Sequence, residues 1–263
     1  MQSILQRQSE RPFHKMESYS IFPYDDYSFL VKWDEKISIK TNRIIHIAAR
    51  ELTKLHETEE VVPAYNSLLW IGKNDISDAN QMKEIIHNIL KLAQKTGFGN
   101  EKTIRFTIPV CYEVDFGLDM EEVAAFTRLS VDEIIEIHTS ATYHVYMMGF
   151  LPGFPFLGGL DDRLHMPRKK TPQKIVARGS VGIGGIQTGI YPMDSPGGWN
   201  IIGNCPLPLY LPGQIPPMLI KANSELQFRR IEKDEFVELE EQYQNFLKNP
   251  QKLFKKVTVD TCI

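Results

Sequence analysis

The stretch "GSVGIGGIQTGIYP", residues 179–192, decides how the C-terminal half of this chain is read. Five of its fourteen residues are glycine. A phosphate-binding loop would need G-x-G-x-x-G opening a helix, or G-x-x-x-x-G-K-[ST]. "GIGGIQTG" satisfies neither, because no lysine and no helical pattern follow it. The alternative is a barrel strand whose glycines mark close approaches of another group. That reading agrees with the sequence on both sides. From Tyr143 onward, short apolar runs alternate with Gly and Pro: "WNIIGNC" (199–205), "LPLYL" (207–211) and "ELQFRRI" (225–231). Many short strands with Gly/Pro turns imply a sandwich or a barrel. "SPGGW" (195–199) reads as a tight turn that feeds Trp199 into a strand, as core or pocket wall.

Upstream lies a second unusual stretch, "MMGFLPGFPFLGGLDDRLHMPRKKTP" (147–172), with four Gly, four Pro and three Phe. No helix tolerates so many breakers. The expectation is a groove or partner surface. Gly149, Pro152, Gly153, Gly158 and Gly159 turn the backbone, and Phe150, Phe154 and Phe156 wall the groove. Backbone N–H groups freed by such turns can face an anion or an oxyanion.

The N-terminal half reads differently. "YSFLVKW" (27–33) and "SLLWIGK" (67–73) have strand character. "TNRIIHIAARELTKL" (41–55) and "DANQMKEIIHNILKLAQKTG" (78–97) carry apolar stripes at helical spacing, the first capped by Thr41 or Asn42. This is a small α/β unit. The polar, glycine-bearing "KTGFGNEK" (95–102) marks the boundary. After it come a strand over 103–112, helices over 120–141 with Ser130 and Glu133 at capping-box spacing, and a helix over 234–248. The expected domains are thus a polar extension (1–17), an α/β unit (18–100), a β domain (101–233), and a C-terminal helix and tail (234–263) whose last dozen residues lack regular structure.

Bulk properties exclude several classes. A net charge of −3 and an ordinary charged fraction give no nucleic-acid footprint. No apolar run approaches the roughly 20 residues of a membrane helix, and "MQSILQRQSERPFHK" lacks a secretory h-region. Three cysteines, at 111, 205 and 262, form no pairing or metal-ligand pattern, which fits a reducing compartment and a cytoplasmic protein with no metal site.

Acid–base candidates are few. His138 ends a helical pattern and His144 lies on a strand, so each is either a proton shuttle or a buried, hydrogen-bonded histidine. Arg168 and Arg178 can clamp a carboxylate. No G-x-S-x-G elbow is present. Spacing alone supports a pocket-bearing β domain and names no reaction.

The long motifs "YHVYMMGFLPGFPFLGGLDDRLHMPRKKTP" (143–172) and "GSVGIGGIQTGIYPMDSPGGWNIIGNCPLPLY" (179–210), with "VVPAYNSLLW" (61–70) and "VCY" before "DMEEVA", resemble the KipI/PxpB family. That family is also described as allophanate hydrolase subunit 1, or a carboxyltransferase-type domain. The resemblance spans about residues 18–236. It implies an α+β chain, with a small N-terminal α/β domain followed by a cyclophilin-like β-barrel. It also implies a non-autonomous subunit of an ATP-dependent 5-oxoprolinase, with ATP handled by the complex. The partners implied are a KipA/PxpC-like subunit and a LamB/YcsF-like PxpA subunit, and the substrate a lactam or other amide. Another branch of the family resembles an inhibitor of a sensor histidine kinase, which works by binding alone. On this resemblance His138, His144 and Arg168 become the catalytic candidates. The groove candidates are Gly149, Phe150, Pro152, Gly153, Phe154, Phe156, Ser180, Gln187, Tyr191, Pro196, Gly197, Gly198 and Trp199. Gln173, Ala177 and Asn204 stand where the family pattern leads one to expect Arg, Pro and Arg, which puts the ligand of this chain in question.

Overall fold

The structure is a computed structural model that describes residues 18–34, 36–96, 103–213, 218–248 and 258–262. The expected polar extension, most of the boundary loop and most of the C-terminal tail lie outside these residues. The chain divides into two compact units, Met1–Phe98 and Gly99–Ile263.

The first unit contains β1 (Tyr19–Asp25), β2 (Ser28–Trp33), α1 (Ile39–Leu52), β3 (Thr58–Pro63), β4 (Ser67–Gly72) and α2 (Ala79–Thr96). Its sheet is antiparallel in the order β1-β2-β4-β3. Alternation on β2 sends Phe29, Val31 and Trp33 to one face, where they meet Leu68 and Trp70 of β4 and the apolar stripes of both helices. Two strands were not legible in the sequence. Both are outer strands: β1 contains Pro23, and β3 carries Glu59, Glu60 and a terminal Pro63. Such residues disguise a strand and suit an edge. Helix α1 begins earlier than expected because Ser38, rather than Thr41 or Asn42, accepts the capping bond, from Thr41 N.

The second unit opens with β5 (Thr103–Cys111), α3 (Met120–Thr127), α4 (Val131–Ser140), β6 (Thr142–Met148) and β7 (Pro155–Gly158). It continues with β8 (Gln173–Val176), β9 (Ser180–Gly184), β10 (Gln187–Ile190), β11 (Ser195–Gly197), β12 (Asn200–Asn204), β13 (Glu225–Ile231), α5 (Lys233–Lys248) and β14 (Thr258–Cys262). Seven strands run β12-β9-β10-β7-β6-β13-β5, and β12 returns to β5 through Asn204 and Cys111. The sheet is therefore a closed barrel flanked by helices, the α+β class anticipated above. Its interior holds Ile108, Tyr143, Val145, Leu157, Ile183 and Phe228. Val123 of α3 and Ile134 and Ile137 of α4 join the same core. Ser130 and Glu133 form the anticipated capping box at the start of α4.

Three expectations are corrected here. Residues 181–192 form a hairpin rather than one strand, because Gly185 (φ +68°) and Ile186 make a two-residue turn between β9 and β10. "LPLYL" is not a strand. Pro206 and Pro208 have no N–H to offer a ladder, and Leu207 and Leu209 fill the core as loop residues. The tail is not without structure throughout, since Thr258–Cys262 pairs antiparallel with β5.

Candidate functional site

The glycines of the opening stretch make room for one side chain. A Cβ on Gly184 would lie 2.5 Å from Cδ1 and Nε1 of Trp199. One on Gly189 would lie 2.9 Å from Cζ3 of the same ring, and one on Gly182 would lie 3.1 Å from the Cβ of Trp199. The indole thus rests on a floor of bare backbone. These glycine faces are filled, so they form no cradle for a phosphate.

Around Trp199 several aromatic residues gather. Phe154 meets Trp199 edge-on at 5.6 Å, Tyr191 at 5.4 Å and Phe150 at 5.6 Å, and it lies tilted against Phe156 at 5.0 Å. Gly197 sits under Tyr191, where a Cβ would come within 2.5 Å of the hydroxyl. Burial pushes the Tyr191 hydroxyl up in pKa; the Trp199 backbone bond and the Arg168 charge act in the opposite direction. The Arg168 guanidinium carbon lies 5.8 Å from the centre of the Trp199 ring, within cation–π range, and the residue is exposed.

The expectation of a groove or partner surface walled by Phe154 is corrected in one respect. Phe154, Tyr191 and Trp199 pack against one another, with only 2%, 2% and 5% of their surface exposed. They support a surface and do not wall a cleft. Solvent meets Phe150, 64% exposed, together with Pro152, Pro196 and Arg168. Phe150 has φ +65°, and Leu151 N donates across it to Gly149 O at 2.8 Å. That is a γ-turn with an aromatic residue at its apex, a strained left-handed conformation for a bulky side chain. Gly153 (φ +84°) closes the loop where a Cβ would meet Tyr210 and Leu209.

His138 is fully buried at the end of α4, stacked on Phe228 at 4.4 Å. Its hydrogen bonds fix its tautomer. The Thr188 hydroxyl donates to Gly182 O at 3.0 Å, which uses its one proton. Nε2 of His138, 3.0 Å from Thr188 Oγ1, must therefore donate to it. Nδ1 is then the acceptor for the Tyr112 hydroxyl at 2.8 Å. Burial pushes the imidazole down to about 3, so it stays neutral. Of the two roles open in the sequence, this geometry is that of the hydrogen-bonded core histidine, with neither nitrogen facing solvent.

His144 is buried on β6 between Tyr143 and Val145, whose side chains enter the barrel core. Alternation therefore turns His144 to the outer side, where its ring meets Tyr146 edge-on at 4.8 Å. The two histidines thus occupy different faces of the barrel wall. Ser180 is buried at the start of β9, where its carbonyl accepts from Tyr191 N. Gln187 pairs with Gly184 beside the hairpin turn. Gly149 begins the Phe150 turn, and Gly198 O accepts from Lys169 N at 2.7 Å.

Sequence reasoning overlooked the Lys169–Asp119 pair. Lys169 Nζ lies 2.5 Å from Asp119 Oδ1, and Asp119 Oδ2 accepts from Ile201 N at 2.7 Å. Asp119 is 5% exposed. This pair ties the Arg168 segment to β12 and to the start of α3. The sequence gives no local sign of it, because the partner lies 50 residues away. Arg178 is engaged elsewhere, paired with Glu240 of α5 at 2.5 Å and lying over Tyr243 at 4.8 Å. Asn204 donates to Arg178 O at 3.0 Å. Gln173 pairs with Gly197 in the β8–β11 ribbon.

A family model described as the carboxyltransferase domain, subdomain C and D, matches residues 19–220. The chain belongs to that family. Within it, the chain is 38% identical over 229 residues to a Bacillus subtilis (strain 168) protein named as a subunit of 5-oxoprolinase, covering 82% of this chain and 95% of the relative. The protein of the same name from Haemophilus influenzae is 35% identical over 209 residues, covering 80% and 96%. Among solved structures, TTHA0988 superposes with a TM-score of 0.69 at 31% identity. That match covers 78% of this chain and 40% of TTHA0988, so this chain spans well under half of it. The Kluyveromyces lactis urea amidolyase shares the fold, with a TM-score of 0.72 at 20% identity over 94% of this chain and 16% of the amidolyase. No helix among the described residues is long and apolar enough to cross a membrane.

Proposed function

We propose that this chain is a non-autonomous subunit of a 5-oxoprolinase-type complex, which opens 5-oxo-L-proline to L-glutamate with hydrolysis of ATP to ADP and phosphate. The observation that carries this reading is the pairing of relatives named as 5-oxoprolinase subunits with a site whose histidine candidate, His138, is buried in the core. His138 is enclosed in the core, and what the site presents to solvent is the exposed Phe150 and the cation of Arg168. Those groups bind and orient; they do not transfer a proton near neutral pH. The proton transfers of lactam opening then belong to groups on a KipA/PxpC-like or LamB/YcsF-like partner. Arg168, backed by the Trp199 face, is suited to the carboxylate that 5-oxoproline keeps throughout the reaction. ATP enters as a substrate of the complex, since the glycine-rich hairpin of this chain is occupied by Trp199.

An exposed, strained aromatic residue is also what a binding anchor requires. That favours a second reading, a non-catalytic module that grips a histidine kinase. Purification with tagged KipA-like partner separates the two. The first reading expects a stoichiometric complex that Phe150→Ala weakens; a chain that ignores this partner and instead lowers the autophosphorylation of a sensor kinase supports the second.

A further inference from the structure

The floor beneath Trp199 is made of Gly182, Gly184 and Gly189, which admit the indole but contribute no side-chain packing. Glycine backbone is also the most freely deformable. The opposite side of this wall bears the chain Tyr112 → His138 → Thr188 → Gly182 O, with donors and acceptors in one sense throughout. All three side chains are buried, and their residues come from after β5, the end of α4 and the middle of β10. Thr188 also stands opposite Ile183 on one side and Leu157 on the other, at the centre of the wall.

We infer that Tyr112, His138 and Thr188 are positioning residues that clamp the glycine floor and so hold Trp199, and Arg168 above it, in register. This rests on the reading that the surface over Trp199 is the functional site. A core packed for stability alone would be better served by apolar side chains of the same volume than by three buried polar groups. The polar chain does what apolar packing does not: it attaches directionally to the carbonyl of Gly182, on the strand whose outer face carries Trp199. His138 therefore acts through the floor and never on the substrate.

The test uses the full chain labelled with 5-fluorotryptophan, whose Trp199 resonance is identified by its loss in Trp199→Phe. Thr188→Val keeps the shape and removes the hydroxyl; Thr188→Ser restores it; Tyr112→Phe cuts the chain at its far end. The expected result is a Trp199 resonance that shifts or broadens in Thr188→Val and in Tyr112→Phe and returns in Thr188→Ser, while those of Trp33 and Trp70 stay in place. If Thr188→Val fails to fold, Tyr112→Phe and Thr188→Ser carry the comparison. An unmoved Trp199 resonance in Tyr112→Phe, or a Thr188→Ser protein with Trp199 displaced, overturns the inference. In the assembled complex the same variants should raise KM for 5-oxo-L-proline more than they lower kcat. A displaced Trp199 with unchanged KM would uphold the clamp and refute the placing of the functional site above it.

Discussion

The indole of Trp199 governs which residues are possible at position 184. The Cβ of Gly184→Ala would sit 2.5 Å from the Trp199 ring, so either the ring or the strand must yield. Overpacking of this kind costs about 1–3 kcal/mol. The expected outcome is a lower urea midpoint together with a changed environment for Trp199, read by fluorescence. His138 sets a second expectation, in pH. Its folded pKa of about 3 lies below the ordinary value near 6.5. The unfolded chain therefore takes up a proton first, and the contribution to stability, complete above pH 6.5, is lost as pH falls towards 3. The slope from this one group is about 1.4 kcal/mol per pH unit. Urea midpoints at pH 7, 5.5 and 4.5 should fall steeply in the wild type and less steeply in His138→Gln. At Phe150, glycine relieves a left-handed conformation that costs roughly 1–2 kcal/mol. Phe150→Gly should thus leave the isolated chain at least as stable, offset in part by the added freedom of its unfolded state, while weakening association with the partner. Thermal melts and co-purification read the two effects separately.

At the scale of elements, the segment that carries Arg168 is held by one partly buried ion pair and the backbone bonds around it. Lys169→Met would strand the carboxylate of Asp119, which is 6% exposed by side chain, and breaking such a pair costs about 3–5 kcal/mol. Asp119→Asn keeps an acceptor for Ile201 N and should cost less. The double variant should recover part of the Lys169→Met loss, a coupling measurable by a double-mutant cycle. The elements also show what sequence can and cannot reveal. Periodicity located α2, α4, β5 and β13, and the Ser130–Glu133 spacing marked the start of α4, because these signals are local. Strands β1 and β3 escaped because edge positions tolerate proline and charge, and β14 because it forms by pairing with the distant β5. The glycines of residues 179–192 correctly indicated close approach, while the hairpin turn at Gly185–Ile186 was hidden among them. For His138 the sequence left two roles open. Tyr112 and Thr188, which decide between them, lie 26 and 50 residues away.

For the whole molecule, the barrel unit brings together an aromatic cluster, an exposed cation and a strained apolar tip, and encloses its central histidine. That combination suits the subunit role proposed above. The most direct measurement is glutamate and ADP release from 5-oxo-L-proline and ATP by the proposed KipA-like and LamB-like partners, with this chain present and omitted. Product is expected only when all three are combined, and none from this chain alone. Equal product without this chain, or no product from a complex shown to assemble, would contradict it.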